Sequence, residues 1–124
     1  MAQEKLLENK IKAWLQTQGI YAVGTPKQKM TVKPCGYYEK RWGSKMTVSG
    51  LPDMHISVCG QDLEIELKAP KGRPSELQKH MIKQMQDTGA HAFILYEDKK
   101  DNYLSLDELK TLILEIKRKW NAKN

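Results

Sequence analysis

Between Gly50 and Lys68 the chain alternates apolar and polar residues in two successive runs. Met54, Ile56 and Val58 alternate with Asp53, His55 and Ser57, and Leu63, Ile65 and Leu67 alternate with Asp62, Glu64, Glu66 and Lys68. A period of two puts each set on its own face of a strand. Cys59-Gly60, between the runs, has the length of a two-residue hairpin turn. That turn pairs Met54 with Ile65, Ile56 with Leu63 and Asp53 with Glu66. Cross-strand partners have Cβ atoms about 4.5–5.5 Å apart. Two carboxylates that close repel unless a cation lies between them. Lys68 stands two residues beyond Glu66, so it leans over the same polar face. Hard divalent cations use one or two carboxylates together with substrate phosphate. The hairpin therefore has the makings of half a metal site with an ammonium beside it.

The remaining periodicity predicts an α/β chain. Glu4 to Gln18 carries Leu7, Ile11, Trp14 and Leu15 at helical spacing. At about 100° per residue Glu8 falls beside Leu15, where a carboxylate is partly desolvated and needs a cation or hydrogen bonds. Glu4 reads as a solvated acid favoured by the helix dipole. Gly19 ends that helix at a left-handed position, and Ile20 to Val23 reads as a strand. Pro26 to Ser49 has the weakest pattern, with Met30-Thr31-Val32 and Met46-Thr47-Val48 as candidate short strands. Ala69 to Pro74 is a rigid basic turn, since proline cannot donate to a sheet ladder. Ser75-x-x-Gln78 has the form of a capping box. It opens a helix with Leu77, Met81, Ile82 and Met85 facing inward and Gly89 closing it. His91 to Tyr96 is nearly continuous apolar sequence, as in a strand covered on both faces. After a polar turn over 98–102, Ser105-x-x-Glu108 caps a last helix lined by Leu109, Leu112, Ile113, Ile116 and Trp120. Residues 121–124 are expected to fray.

Charge and composition narrow the chemistry. The 124 residues, 40% hydrophobic and 29% charged, suit one globular domain spanning 1–124. A net charge of +6 and a pI near 9.3 favour a polyanionic partner, nucleic acid before an acidic membrane. Lys27, Lys29, Lys33, Lys40, Arg41 and Lys45 are interleaved with Tyr37, Tyr38 and Trp42, a mixture suited to neutralising phosphates and stacking bases. The bland alternative is a solvated loop whose aromatics cover the core edge. Lys71 and Arg73, following Lys68, fit flanking phosphates equally well as they fit an ordinary charged loop. No apolar run approaches the ~20 residues of a membrane span, and the first ten residues lack a signal peptide's apolar core. A cytoplasmic protein of a prokaryotic or viral host cell is expected. Cys35 and Cys59 are isolated, which argues against structural zinc and for free thiols. His55 shares the polar face with Asp53, while His80 and His91 read as structural. There is no HExxH, no GxSxG elbow and no GxxxxGK[ST] loop, so zinc hydrolysis, a serine triad and a nucleotide cofactor are not expected.

Pro52-Asp53 followed by Glu66-x-Lys68 resembles the signature of the PD-(D/E)xK nuclease superfamily. The wider text, SGLPDMHI, EIELKAPKGRPSELQ and then Gly89-Ala90 before a strand, is similar to its VRR-NUC family over about Glu8 to Tyr96. The resemblance implies a restriction-endonuclease-like αβββαβ core, a central mixed sheet flanked by helices, with a C-terminal helix added. It implies metal-dependent hydrolysis of DNA phosphodiesters, and its small stand-alone members resemble Holliday-junction resolvases. Carried onto this chain, Asp53 and Glu66 hold Mg²⁺ or Mn²⁺, the Leu67 carbonyl is a third ligand, and Glu8 completes the sphere directly or through water. Lys68 orients the attacking water, its role as a base left open. Gln78 has two readings, a helix cap or a residue orienting Lys68 or water. One site per chain implies a homodimer for cutting branched DNA, four-way junctions first. The alternatives are a non-catalytic basic DNA-binding module and a restriction-like duplex endonuclease with the same site.

Overall fold

The computed structural model describes residues 2–41 and 50–124. Leu7, Ile11 and Leu15 recur every four residues and are buried along one side of α1 (Ala2–Thr17). Gly19 follows at φ 82°. A Cβ there would meet the Lys33 carbonyl oxygen at 2.3 Å, so close approach and backbone conformation both demand glycine. Next come β1 (Ile20–Ala22), a single 3₁₀ turn (Lys27–Lys29) and β2 (Gly36–Lys40). The central hairpin is β3 (Met54–Val58) and β4 (Gln61–Lys68). Beyond it lie α2 (Glu76–Asp87), β5 (His91–Tyr96), β6 (Leu104–Ser105) and α3 (Leu106–Lys123).

The strands form one mixed six-stranded sheet in sequence order. β1 runs parallel to β2, β2–β3–β4 is antiparallel, and β5 and β6 continue parallel to β4. Met54 opposes Ile65 and Ile56 opposes Leu63, the register expected of a two-residue turn. Cys59 and Gly60 both take positive φ, 49° and 82°, the mirror-image turn whose twist suits a hairpin.

Alternation along the strands sorts two cores onto two faces. Ile56, Leu63, Ile65 and Leu95 pack with Leu7, Ile11 and Leu15 of α1 and Leu109, Ile113 and Ile116 of α3. On the other face Ala92, Ile94 and Tyr96 pack with Ile82 of α2. Both capping boxes are present, Ser75 with Gln78 and Ser105 with Glu108. No helix among the described residues is long and apolar enough to cross a membrane.

The weakly patterned region is where expectation and structure part. Met30 to Val32 is not a strand: the Tyr21 hydroxyl accepts from the Val32 N–H (2.9 Å) and donates to its carbonyl (3.0 Å), serving groups a ladder would otherwise need. The strand lies instead at Gly36–Lys40, which buries Tyr38 in the core. Trp42, Lys45 and Met46-Thr47-Val48 lie outside the described residues. Leu77 and Trp120, expected inward, are 47% and 48% exposed. Leu77 sits at the start of α2 against Gly50 rather than over the sheet, and Trp120 lies near the end of α3, beside the hairpin turn. His80 and His91 are exposed rather than part of the core.

The hairpin core sets the first expected outcome. Ile56→Ala at a fully buried position should cost about 2–5 kcal/mol. Leu114→Ala, on the exposed side of α3, should stay within about 0.5 kcal/mol. Urea denaturation of both variants measures the contrast.

Candidate active site

The mouth of the β3–β4 hairpin, at the end away from the Cys59–Gly60 turn, collects the acids. Asp53 immediately precedes β3, and one of its carboxylate oxygens, Oδ2, accepts the Leu67 backbone N–H of β4 at 2.8 Å. Asp53 is thereby fixed against the edge of the strand that carries Glu66. The N–H and C=O of one strand residue point to the same edge, so the Leu67 carbonyl faces this mouth too. Pro52, opposite Leu67 when the register is continued, has no N–H to offer that carbonyl.

Glu66 opposes Ile94 of β5 and so faces the α2 side of the sheet. The residue is 2% exposed. Oε2 accepts from the Gln78 side-chain amide at 2.9 Å and lies 3.3 Å from the Lys68 ammonium. Oε1 is buried without a hydrogen-bond partner among the described residues. Burial is the largest influence on this group and the neighbouring Asp53 charge adds to it. Lys68 pulls the other way, and the carboxyl is lifted from 4.5 to about 7.

Gln78 is the helix cap, and its free amide end reaches Glu66 rather than Lys68. Its Oε1 accepts the Ser75 N–H (2.9 Å) as the capping box requires, while its Nε2 donates to Glu66. The helix start and the buried acid are thus joined by one side chain.

Glu8 projects from the second turn of α1 and is also buried, at 4% exposure. Burial works to raise its pKa. Hydrogen bonds from Lys12 and Lys5 and the charge of Lys40 outweigh it, holding the group at about 2. Glu8 Oε2 lies 2.5 Å from Lys12 and 3.0 Å from Lys5, and Oε1 lies 3.5 Å from Lys40. The same Lys40 ammonium is 3.5 Å from Asp53 Oδ1. Lys40 therefore links the acid of the helix to the acid of the hairpin.

The other expected contacts scatter. Arg41 turns inward, its guanidinium forked onto both Glu64 oxygens and donating to the Pro52 carbonyl at 3.0 Å. Its backbone N–H donates to the Asp53 carbonyl at 2.7 Å. Lys71 and Arg73 are exposed in the loop after β4, which is tied down by Tyr96 Oη donating to the Gly72 carbonyl at 2.7 Å. Lys27 and Lys29 are exposed on the 3₁₀ turn. Lys33 lies beside Cys35, Cys59 and Gly60 at the opposite end of the hairpin, some six residues or about 20 Å of strand away. His55 opposes Glu64 in register but pairs with Asp62 (2.9 Å) and Glu39 (3.6 Å) instead. Cys35 and Cys59 are free thiols, as expected.

Sequence reasoning missed Lys40 as a partner of the acids, because β2 itself was not legible. Lys5 and Lys12 stand three residues before and four after Glu8, a helical spacing at which opposite charges meet.

The chain matches no family model, no curated protein and no solved structure. The fit to a divalent cation rests on the site itself. No three His, Cys, Asp or Glu among the described residues converge closely enough to hold a metal. Yet two adjacent carboxylates, a strand-edge carbonyl and the unpartnered Glu66 Oε1 are the oxygen donors that a Mg²⁺ or Mn²⁺ site with only one or two carboxylates uses.

The two buried acids oppose each other in their pH dependence. Glu66 binds its proton more tightly when folded, so the stability it contributes is complete below 4.5 and is lost as pH rises to about 7. Glu8 contributes fully above 4.5 and loses that contribution as pH falls toward 2. Urea unfolding in EDTA should show Glu66→Gln gaining up to about 3 kcal/mol over the parent between acid and mildly alkaline pH. Glu8→Gln should lack the stabilisation that the parent gains as pH rises from about 2 to 4.5. A Glu66→Gln profile parallel to the parent's would contradict this assignment.

Proposed function

We propose that the protein is a divalent-metal-dependent, structure-specific DNA endonuclease that hydrolyses phosphodiesters of branched DNA. The observation that carries this reading is the juxtaposition of Asp53, Glu66 and Lys68, with one oxygen of Glu66 buried and without a hydrogen-bond partner among the described residues. A carboxylate in that state is costly unless a cation reaches it. The order α1, β1, β2, β3, β4, α2, β5 contains the αβββαβ sequence of restriction-endonuclease-like folds once the three-residue β1 is set aside as an addition, and this supports the same reading.

Asp53, Glu66 and the Leu67 carbonyl would hold Mg²⁺ or Mn²⁺, with Glu8 joining directly or through water. Bound there, the ion would supply Lewis-acid chemistry, lowering the pKa of a water molecule and offsetting charge on the scissile phosphate. Gln78 holds Glu66 by one oxygen and so fixes the direction of the other. Lys68 is positioned over the same face to orient the attacking water and to offset charge developing on the phosphoryl oxygens. Lys71 and Arg73, exposed on the loop that follows, supply cations for flanking phosphates. One site per chain calls for two subunits to cut a four-way junction symmetrically, and a two-fold homodimer is the simplest assembly.

A second reading has one observation in its favour. Lys40 already neutralises Glu8 and Asp53, as expected of a DNA-binding module whose acids are only salt-linked. Activity separates the two. Incubated with four-way junction, flap and plasmid DNA, the protein should cut the junction first in Mn²⁺ or Mg²⁺ and leave all three whole in EDTA. Asp53→Asn and Lys68→Ala should each lower cleavage by at least about 10²-fold while junction binding in a mobility-shift assay persists. Intact DNA in every metal condition with an unchanged shift would favour the binding module.

A further inference from the structure

We propose that Lys40 is the resident counter-ion of this site and is exchanged for the divalent cation when the metal enters. The inference rests on the metal-site reading above. It assigns Lys40 a place among the acids instead of a standing contact with DNA.

Each of the three acids is anchored through one oxygen. Glu8 is held at Oε2 by Lys5 and Lys12. Asp53 is held at Oδ2 by the Leu67 N–H, and Glu66 at Oε2 by Gln78 and Lys68. The second oxygens form a different set. Glu8 Oε1 and Asp53 Oδ1 both face the Lys40 ammonium, each at 3.5 Å. Glu66 Oε1 has no hydrogen-bond partner among the described residues. The chain thus spends one oxygen of every acid on its own scaffold and turns two of the remaining three toward a single positive charge.

The lengths identify that charge as a placeholder. Charge-assisted hydrogen bonds are ordinarily about 2.7–2.9 Å, so an ammonium at 3.5 Å from both acids bridges them loosely. Mg²⁺ draws its oxygens to about 2.0–2.1 Å. The ammonium therefore holds the acids wider apart than a metal shell, in keeping with the absence of a tight three-ligand group among the described residues. Lysine suits a displaceable role because it carries a point charge on a flexible four-carbon stem. Its side chain is 18% exposed, which leaves it a path outward. The adjacent Arg41 lacks that freedom, being forked onto Glu64 and Pro52. When Lys40 leaves, Glu8 keeps Lys5 and Lys12, so the helix acid is not stranded.

Calorimetric titration of Mn²⁺ into the parent and into Lys40→Met tests the exchange without any DNA. Removing one competing unit charge at this range should tighten Mn²⁺ binding by at least about tenfold. It should also enlarge the rise in Tm on adding Mn²⁺. A purely structural lysine would lower Tm in EDTA and leave the Mn²⁺ affinity where it was. A folded Lys40→Met with unchanged or weaker affinity overturns the proposal and leaves the metal site standing. A parent protein that binds no Mn²⁺ overturns the metal site and the exchange together. Acetylation of the parent followed by mass spectrometry gives a readout independent of any variant. Lys40 should gain reactivity on adding Mn²⁺ relative to Lys83, which pairs with Asp87 on the exposed side of α2. Equal reactivity with and without Mn²⁺, in a protein that binds the ion, also overturns it.

Discussion

A glutamate at 2% exposure beside a second carboxylate is the feature to which the surrounding structure answers. Left alone, such a group loses its hydration and gains a like-charged neighbour, and both effects oppose ionisation. Around Glu66 the chain sets an amide from α2, an ammonium two residues along the same strand and, through Asp53, a backbone N–H of β4. None of these reaches Oε1. The structure offsets part of the penalty and leaves the rest concentrated on a single oxygen.

Placement decides what each basic residue can do. Lys40 and Arg41 adjoin one another in sequence, yet one bridges two acids loosely and the other is clamped by a planar fork. Lys71 and Arg73 are exposed on the loop beyond Lys68. Lys33 belongs to the other end of the sheet. A net charge of +6 is therefore distributed between internal neutralisation and the solvent-facing surface, and only the second part is open to a polyanion.

The hairpin was legible because its two signals were local and agreed. The alternation of Met54 to Val58 and Gln61 to Lys68 sets the faces and the two-residue turn sets the register, so the sequence alone brings Asp53 and Glu66 together. The capping boxes were equally local. β2 was not legible, because Gly36 to Lys40 holds no alternating apolar set: Tyr38 alone is buried and its neighbours face solvent or the acids. Pairing with β1 and β3 makes it a strand, and that information is long-range. Lys40 was lost with it. Glu8 was found from its helical bearing, whereas the lysines around it needed only the same arithmetic continued one turn in each direction.

The turn at Cys59 and Gly60 has a bearing on the chemistry that its position conceals. Side chains alternate with period two, so sliding β4 by a single residue would exchange its faces. Glu66 and Lys68 would then point into the apolar layer under α1 and α3, and Leu67 would take their place beside Asp53. Surface turns are ordinarily where a chain absorbs insertions. This one acts as a caliper set at the far end of the hairpin, and a one-residue change in its length would be read out as a dismantled acid cluster at the other.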